Sequence, residues 1–561
     1  MRTISSLTIC VLASTALAQT PVLVKDIYPG IFSGILSTPD AVVIGSTLYF
    51  TAGVSFDEEL WKSDGTPAGT VLVKDINIGT GTSFQEFRTV FKDELYFTAE
   101  TPDLGSELWR TDDTEGAVLA AGDACLGTCS GAFYGSADRH LAEYNGNLYF
   151  RLETAGSGTE VWRTDGTPTG TLLFKDIHPG LGSSYPSAFT VFNGKLYFAA
   201  DSANVGAELW VSDGTSAGTH LLKDINSNPY QSSDLQSPVV GTDAFYFWAK
   251  NNSSAGPELW KSDGTAVGTA QLKEIGPGNA SGQPPSVPLS NSVWLGNKLL
   301  FTANDGVAGA ELWVTDGTES ETQILFDINA GSAGSNLSFL TTWNGKAYFR
   351  AKTADKGNEL WVSDGTINGT QILKDINPGA GDGVSPISSS PFIPLEFIVH
   401  EDKMYFTANN GSTGYELWVT DGTTAGTQIV YDLNPGNSKS DPSNYQLIGD
   451  FLYFFATTQA TGTELWKLFV GTSAAKDLGH DLFLLVYPTY SYDGVFSFDY
   501  NDETGETFDV SVFDAVGRLK YHANQSLIEP LRLLNLPAGS YFIRIAAEDG
   551  KFVTKKVIIG K

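Results

Sequence analysis

Positive charge is scarce in this chain of 561 residues. Lysine and arginine together number 34, against 64 aspartates and glutamates, and the formal net charge is -30. A protein that binds nucleic acid needs a basic surface to neutralise phosphates, and anionic membranes also attract basic segments. The composition therefore argues against nucleic acid and anionic lipid as partners, and it is typical of an acidic surface in contact with water.

Long apolar runs are also missing. A membrane-spanning helix needs about 20 consecutive apolar residues, and no stretch of this chain approaches that length. Residues 1–18 instead have the three parts of a secretory signal peptide, which are Arg2, the apolar run from Leu7 to Leu12 and the cleavage site Ala16-Leu17-Ala18. We predict a mature protein that begins at Gln19, is secreted and does not span a membrane.

Cysteine is rare, with 3 residues in the chain. Cys10 lies in the signal peptide, and Ile9 stands where a lipoprotein site would need a small residue, which argues against a lipid anchor. We predict a disulfide between Cys125 and Cys129, because an exported protein meets oxidising conditions. A metal site is the alternative, but no histidine or second cysteine pair lies nearby to complete four ligands.

Catalytic motifs are missing as well. The 6 histidines are scattered along the chain, and none is paired at metal-ligand spacing. The chain has no Gly-x-Ser-x-Gly with partner residues, no phosphate-binding loop and no His-Glu-x-x-His. We therefore predict no catalytic residue and a protein that is not an enzyme.

A repeated motif dominates the rest of the sequence. Glu-Leu-Trp-x-x-Asp-Gly-Thr, first seen at residues 59–66, returns with small variations, and nine of the 12 tryptophans occupy its third position. Successive copies are 48 to 57 residues apart, a period that indicates an array or a ring. Because one residue type recurs at one place, we interpret these tryptophans as structural. They are Trp61, Trp109, Trp162, Trp210, Trp260, Trp313, Trp361, Trp418 and Trp466.

Each repeat contains four candidate strands. A leader strand is joined to an aromatic strand such as Leu48-Tyr49-Phe50 by a two-residue turn such as Asn145-Gly146, which favours a type I′ hairpin. A tryptophan strand and a strand that contains Lys-Asp-Ile follow. Four-stranded units of about 40 to 50 residues are typical of β-propeller blades. We predict an all-β propeller over residues 19–478, with nine four-stranded units in one ring; a split or incompletely closed array is the alternative.

The Lys-Asp-Ile strand occurs once more than nine units require. Residues 22–27 stand before the first unit, and residues 473–478 end the ninth. Residues 22–27 match the repeat better. We therefore predict that they cross over to form the outer strand of the ninth unit.

Residues 479–561 lack the repeat and contain short alternating strands separated by turns, which predict a small antiparallel β-sandwich. This domain resembles the type A C-terminal sorting domain of type IX secretion cargo, although Thr489-Tyr490 replaces the usual Asn-Pro. The resemblance implies export through the outer membrane of a Gram-negative cell, the type IX machinery as partner and a secreted or cell-surface location. A sandwich that binds sugar is the alternative. The matching segments contain Pro488, Gly517, Gly539 and Lys556.

Residues 22–478 resemble the ELWxxDGT repeat family, which occurs in large secreted or surface proteins. The family motif is nearly complete in most copies of the repeat. The resemblance implies a repeat architecture and no particular reaction.

The repeated acids favour a structural role. The glutamate before Leu-Trp and the aspartates of Asp-Gly-Thr and Lys-Asp-Ile recur in nearly every unit, so we interpret them as turn caps and hydrogen-bond acceptors. Residues 375–383 place oxygen-bearing side chains between glycines and loosely resemble a calcium loop. Asp375, Asn377 and Asp382 are the candidate calcium ligands, and an ordinary turn is the alternative. No other cofactor is predicted.

The connections between units vary in length while the hairpins do not. The longest connections are residues 124–148, 275–299 and 376–404. Long loops on a rigid frame concentrate binding residues, and neutral variation in loop length is the alternative. The candidate binding face is built from Trp294, Phe392 and Phe397.

The function that these features favour is binding or adhesion by a secreted or surface protein, with a glycan or a protein as the ligand. A secreted carbohydrate-active lyase or hydrolase, with its site at the mouth of the propeller, is the second hypothesis. A structural repeat protein without a ligand is the third. The sequence contains no catalytic pair that would favour the second hypothesis.

Overall fold

The chain divides into two units, Met1–Val470 and Gly471–Lys561. All regular elements in the described ranges are β-strands, which confirms the all-β prediction for this part of the chain. The predicted domain boundary after residue 478 and the predicted signal peptide lie outside the described residues. The computed structural model describes residues 20–35, 41–54, 57–79, 81–83, 86–111, 117–119, 141–252, 254, 256–284, 287–289, 291–384, 397–471, 484–487, 490–491, 495–500, 507–514, 518–526, 531–546 and 552–559.

The described residues of the first unit form nine four-stranded antiparallel sheets, here numbered sheets 1 to 9 in chain order. Sheets 1 to 3 consist of β2 (Val42–Ile44), β3 (Thr47–Val54), β4 (Asp57–Ser63) and β5 (Val71–Lys74); β6 (Glu86–Phe91), β7 (Glu94–Thr101), β8 (Gly105–Thr111) and β9 (Ala117–Leu119); and β10 (Leu141–Tyr144), β11 (Asn147–Thr154), β12 (Gly158–Thr164) and β13 (Leu172–Lys175).

Sheets 4 to 6 follow the same order of leader, aromatic, tryptophan and Lys-Asp-Ile strands. They consist of β14 (Ser187–Phe192), β15 (Lys195–Asp201), β16 (Ala207–Ser212) and β17 (His220–Lys223); β18 (Gln236–Val240), β19 (Phe245–Ala249), β20 (Glu258–Ser262) and β21 (Ala270–Lys273); and β22 (Val293–Leu295), β23 (Lys298–Asn304), β24 (Ala310–Thr315) and β25 (Gln323–Phe326).

Sheets 7 to 9 complete the first unit, and sheet 9 takes its fourth strand from the start of the chain. They consist of β26 (Ser338–Trp343), β27 (Lys346–Thr353), β28 (Gly357–Ser363) and β29 (Gln371–Lys374); β30 (Ile398–His400), β31 (Lys403–Ala408), β32 (Glu416–Thr420) and β33 (Gln428–Tyr431); and β34 (Ser443–Ile448), β35 (Phe451–Thr458), β36 (Gly462–Phe469) and β1 (Val22–Lys25).

Strand β1 pairs antiparallel with β36, as the surplus Lys-Asp-Ile strand predicted. Val22 lies opposite Lys467, and Leu23 lies opposite Trp466. Sheets 9 and 1 share one core, in which Phe455 of sheet 9 packs with Phe50 of sheet 1. The crossover prediction is confirmed, and the two ends of the repeat region meet. Residues 473–478 lie outside the described ranges.

Turn chemistry explains the hairpins. Asn145 and Gly146 have φ values of 51° and 71°, the left-handed pair that a type I′ turn requires. Across the next hairpin, the phenylalanine equivalent to Phe50 of Leu48-Tyr49-Phe50 lies opposite the repeated tryptophan in all nine sheets, as Phe198 lies opposite Trp210. These turns fix the register, so the same residues face the neighbouring sheet each time.

The cores of the first unit lie between successive sheets. Trp210 of sheet 4, for example, packs with Tyr149 and Val161 of sheet 3, and the other repeated tryptophans also pack between their own sheet and the preceding one. Burial of a large aromatic side chain contributes about 1.5 to 3 kcal/mol. Each tryptophan therefore joins two sheets, which explains why the repeat requires it.

The second unit contains two sheets around one core. A three-stranded sheet consists of β37 (Leu484–Tyr487), β39 (Val495–Tyr500) and β42 (Leu531–Arg532), and a five-stranded sheet consists of β38 (Tyr490–Ser491), β44 (Phe552–Ile559), β43 (Gly539–Ala546), β40 (Thr507–Asp514) and β41 (Leu519–Ser526). Phe496 of the first sheet and Val510 of the second belong to one buried cluster. The sandwich is not wholly antiparallel, because β38 pairs parallel to β44.

Candidate functional site

The repeated glutamates hold the connections between sheets in place. Backbone N–H groups of the chain that follows the Lys-Asp-Ile strand donate hydrogen bonds to Glu59, Glu160, Glu208, Glu258, Glu311, Glu359, Glu416 and Glu464. Glu160 accepts the N–H groups of Ile177 at 2.8 Å, His178 at 3.2 Å and Ser184 at 3.0 Å. Burial raises the pKa of six of these glutamates to about 7. Their contacts are those of a structural group.

The aspartates of Asp-Gly-Thr close turns. Asp213 Oδ1 accepts the backbone N–H of Thr215 at 2.8 Å and its hydroxyl at 2.7 Å, and the hydrogen bond from the Thr215 hydroxyl holds the pKa of Asp213 below its usual value. A Cβ on Gly218 would lie 2.2 Å from the Asp213 carboxylate, so the repeat needs glycine there. Oδ1 of these carboxylates is therefore used to hold the turn.

Two further side chains of the repeat reach the next sheet, and the sequence alone did not assign them this role. The tyrosine of the aromatic strand approaches the next Asp-Gly-Thr turn, as the Tyr197 hydroxyl lies 3.4 Å from the Gly264 carbonyl oxygen. The lysine of Lys-Asp-Ile does the same, because Lys175 Nζ donates to the Ser216 carbonyl at 2.9 Å. Both residues tie adjacent sheets together.

The three calcium candidates each make a contact with another protein group. Asp375 forms an ion pair with Lys356 at 2.7 Å, and Asp382 Oδ1 accepts the N–H of Asn358 at 2.9 Å. Asn377 donates its side-chain amide to the backbone carbonyl of Asp382 at 3.2 Å. Among the described residues, no group of three or more histidine, cysteine or carboxylate side chains is arranged to hold a metal ion.

A cleft of about 710 Å³ opens between sheets 5 and 6. It lies at the end of each sheet where the leader strand turns into the aromatic strand. It is lined by the turn between β18 and β19, by the turn between β22 and β23 and by the Asp-Gly-Thr turns that follow β20 and β24. Its side chains include Asp243, Tyr246, Lys261, Trp294 and Asp316. The volume falls within the range of about 300 to 1,000 Å³ that is usual for small-ligand sites.

Trp294 lies in strand β22 and not in the long connection where the sequence placed it. Its indole Nε1 donates to the Val240 carbonyl of sheet 5 at 2.9 Å, and its ring meets Tyr246 edge to face at a centroid distance of 5.6 Å. A Cβ on Gly241 would lie 2.6 Å from Trp294 Cζ2. The indole ring therefore packs against Gly241, where a side chain would collide with it. The ring is half-buried and lines the cleft.

Carboxylates dominate the charge of the cleft. Asp243, Asp263 and Asp316 line it together with one lysine, Lys261. Hydrogen bonds from Thr265 and Thr318 lower the pKa values of Asp263 and Asp316, so both are ionised at neutral pH. Lys261 Nζ donates to the Gly317 carbonyl at 2.6 Å. The sequence did not single out these residues, because two of the aspartates belong to the repeat.

Phe397, a second candidate for the binding face, is not brought to the cleft. Phe397 is 1% exposed and belongs to the core between sheets 7 and 8, where it packs edge to face against Phe406 at 5.7 Å. Its apolar ring is thus used in packing. Phe392 and the predicted disulfide partners Cys125 and Cys129 lie outside the described residues.

The sorting-domain residues are described only in part. Gly539 begins β43, and the backbone of Lys556 lies in β44 opposite Phe542. Pro488 and Gly517 lie outside the described ranges.

Ser511, His522 and Asp509 form a polar cluster on β40 and β41. Ser511 Oγ lies 3.1 Å from His522 Nδ1, and Asp509 Oδ1 lies 3.3 Å from the same nitrogen. A catalytic triad needs its serine and its aspartate on different nitrogens of the imidazole. Both contacts here involve Nδ1, so the cluster lacks the geometry of a triad.

Comparison with known proteins identifies the C-terminal region. Residues 486–560 match the family described as secretion system C-terminal sorting domain. No curated protein matches the chain. Among the described residues, no helix is long and apolar enough to cross a membrane.

Several solved structures are similar to this chain at a low level. A puromycin hydrolase is 12% identical with a TM-score of 0.36, over 73% of this chain and 61% of that chain. A puromycin-hydrolyzing peptidase of Mycobacterium tuberculosis is 11% identical with a TM-score of 0.34, over 73% of this chain and 61% of that chain. The match thus spans less than two thirds of both hydrolases.

A third structure, polysaccharide lyase Uly1, is 12% identical with a TM-score of 0.27, over 63% of this chain and 94% of that chain. The resemblance of the repeat region to the ELWxxDGT family stays a prediction. The sorting domain, in contrast, is shown by the family match over residues 486–560. It indicates export by type IX secretion to the cell surface or the extracellular space.

Proposed function

We propose that the exported chain is a nine-bladed β-propeller that binds an extracellular glycan in the cleft between sheets 5 and 6. Nine four-stranded sheets and the pairing of β1 with β36 support the closed ring. The sorting domain supports a ligand outside the cell.

The observation that carries the proposed site is a departure from the repeat. The turn between β18 and β19 has four residues, 241–244, whereas the other eight leader hairpins have two-residue turns. On the adjacent sheet 6, Trp294 occupies a strand position that carries no aromatic residue in the other sheets. The residues there are Val43, Val90, Glu143, Val191, Val240, Thr342, Val399 and Leu447.

Two departures at one place favour a ligand site, because the architecture requires neither of them. A sugar presents apolar C–H faces and hydroxyl groups. The C–H faces can stack on the half-buried indole, which is apolar. The hydroxyl groups can donate hydrogen bonds to the carboxylates beside the indole. A cleft that combines an aromatic wall with a few polar groups suits such a ligand better than a flat protein surface.

The charges favour binding over cleavage. Glycoside hydrolysis usually needs two carboxyl groups with pKa values pushed apart, so that one stays protonated as the general acid. Asp263 and Asp316 both have lowered pKa values for the same reason, a threonine hydrogen bond. This similarity supports a binding protein over the hydrolase alternative.

The test is titration calorimetry of the mature chain with a panel of soluble oligosaccharides, using Trp294→Ala and a matched control. Val399 occupies the equivalent strand position of sheet 8, so Val399→Ala serves as the control. We expect Trp294→Ala to weaken binding about tenfold, as loss of a central aromatic contact usually does, and Val399→Ala to bind like the wild type.

Equal affinities of Trp294→Ala and the wild type would contradict the proposed site. Release of new reducing ends or unsaturated products during the titration would favour the enzyme hypothesis instead. Binding of an extracellular protein, with no oligosaccharide bound, would reassign the ligand class.

A further inference from the structure

We infer that the cleft between sheets 5 and 6 selects glycans that carry a protonated amine, such as sugars with a free amino group, over neutral and acidic glycans. This inference rests on the proposed function, because it assumes that the cleft binds a glycan, and it names the class. Geometry, charge and the aromatic wall each contribute to it.

The first step is the imbalance of charge in the lining. Three aspartates and one lysine line the cleft. The ammonium of Lys261 is already hydrogen-bonded to the Gly317 carbonyl at 2.6 Å, which holds it against the wall. The single positive charge of Lys261 therefore neutralises only part of the negative charge of the three aspartates. A cationic group on the ligand would neutralise more of it.

The second step is the hydrogen-bonding capacity of the aspartates. Asp263 Oδ1 and Asp316 Oδ1 each accept two hydrogen bonds from a threonine within their own turns. Among the described residues no donor is assigned to the Oδ2 atom of either aspartate, and Asp243 is exposed in its four-residue turn. An ammonium group has three donors and forms charge-assisted bonds with such oxygens.

The third step is the indole. Tryptophan is the aromatic side chain that attracts cations most strongly through its ring face. Trp294 is half-buried beside the carboxylates. A protonated amine in the cleft gains from both the ring and the aspartates, whereas a neutral sugar gains only from stacking and ordinary hydrogen bonds.

An acidic sugar meets the opposite conditions. Its carboxylate or sulfate would enter a space lined by Asp243, Asp263 and Asp316, where like charges repel. The net charge of -30 on the whole chain adds a repulsive field at longer range. Acidic glycans are therefore disfavoured both in the cleft and on approach to it.

The test compares three oligosaccharides of equal length with the full mature chain by calorimetry. They are a fully deacetylated chito-oligosaccharide at a pH where its amines are protonated, its N-acetylated form, and an oligogalacturonate. We expect the deacetylated oligomer to bind most tightly and to lose affinity as salt is raised, since salt screens exposed charges.

The variant Asp243→Asn removes one carboxylate while it keeps the size of the side chain. It should weaken binding of the deacetylated oligomer about two- to fivefold, as expected for an exposed ion pair. Binding of the N-acetylated oligomer should weaken less, because the asparagine amide oxygen still accepts a hydrogen bond from a hydroxyl group. Asp103→Asn changes the same charge on the exposed hairpin of sheet 2 and should leave both affinities unchanged.

The outcomes separate this inference from the proposed function. If the N-acetylated or the acidic oligomer binds as tightly as the deacetylated one, and Trp294→Ala weakens that binding about tenfold, the glycan site stands and the amine preference is overturned. If no oligosaccharide binds, both are overturned. An equal loss of affinity in Asp103→Asn and Asp243→Asn would reduce the preference to a general effect of net charge and would also overturn it.

Discussion

Sheets 3 and 4 meet differently from sheets 5 and 6, although both pairs use the same repeat. Between sheets 3 and 4, the Tyr144 hydroxyl of the leader strand donates forward to the Gly194 carbonyl at 2.7 Å. Between sheets 5 and 6, Trp294 donates backward to the Val240 carbonyl at 2.9 Å. The first contact links the end of one leader strand to the two-residue turn of the next sheet. The second contact lies at the wall of a cleft.

The difference shows how a repeat can acquire a site without losing its frame. Both pairs keep the buried tryptophan at the sheet interface, Trp210 in one and Trp313 in the other. They differ by a longer turn at 241–244 and by Trp294, which occupies the strand position of Val191 in sheet 4. Residues that the repeat dictates support the fold, and residues that it does not dictate are available for binding.

The largest expected effect tests the structural side of this comparison. Trp210 is 8% exposed, packs with sheet 3 and donates Nε1 to the Ala200 carbonyl at 3.0 Å. Trp210→Ala should lower the free energy of unfolding by about 3 to 5 kcal/mol, measured by denaturant unfolding. Trp294→Ala should cost clearly less stability, because its ring is half-buried; equal losses would erase the distinction between the two tryptophans.

The second prediction concerns pH. Six buried glutamates have folded-state pKa values of about 7, above the usual 4.5, because burial disfavours their charged form. The folded state therefore binds protons that the unfolded state releases. Their contribution to stability is fully present below their unfolded pKa and is lost as pH rises through about 7.

Denaturant unfolding should accordingly give a higher free energy at about pH 5 than at about pH 8, with a slope of up to about 1.4 kcal/mol per pH unit for each extra proton bound. The variant Glu311→Gln should flatten this slope. Asp263 and Asp316 of the cleft have lowered pKa values and should not contribute in this range. A stability that rises from about pH 5 to about pH 8 would contradict the assignment.

The smallest expected effect tests the cleft without removing its aromatic ring. In Gly241→Ala the new Cβ would lie 2.6 Å from Trp294 Cζ2, so the indole must shift. We expect binding to weaken by about 1 kcal/mol, roughly fivefold, while the free energy of unfolding changes by less than about 1 kcal/mol. Gly156→Ala, where a Cβ meets nothing within 4 Å, is the control; unchanged binding in Gly241→Ala would show that the ring position does not matter.

Much of the frame could be predicted because its causes are local. The Asn145-Gly146 turn fixes a hairpin, and the constant distance from aromatic strand to tryptophan fixes the sheet. The surplus strand at residues 22–27 even indicated the long-range pairing with β36, since it matches the other outer strands. Because the same local pattern recurs in each repeat, it predicts all nine sheets.

The site was harder to predict because it depends on contacts between sheets. Counting connection lengths placed Trp294 in a loop, because the count includes the leader strand and β22 has only 3 residues. Phe397 immediately precedes β30, so it does lie in the connection. The Gly296-Asn297 turn could have placed Trp294 in a strand, two residues before the turn. Nothing local indicated that Phe397 is buried, because its cover comes from sheets 7 and 8.

The pairing of β1 with β36 has a consequence for how the first unit forms. Eight sheets consist of strands that follow one another along the chain, whereas Glu464 of sheet 9 accepts the N–H of Ile27, 437 residues away. The entropic cost of closing so long a loop rises only logarithmically, by about 0.6 kcal/mol for each doubling of length. Closure is therefore thermodynamically cheap, but contacts between distant residues form slowly. We expect sheet 9 to be the last to complete during folding, with β36 as an open edge until β1 arrives.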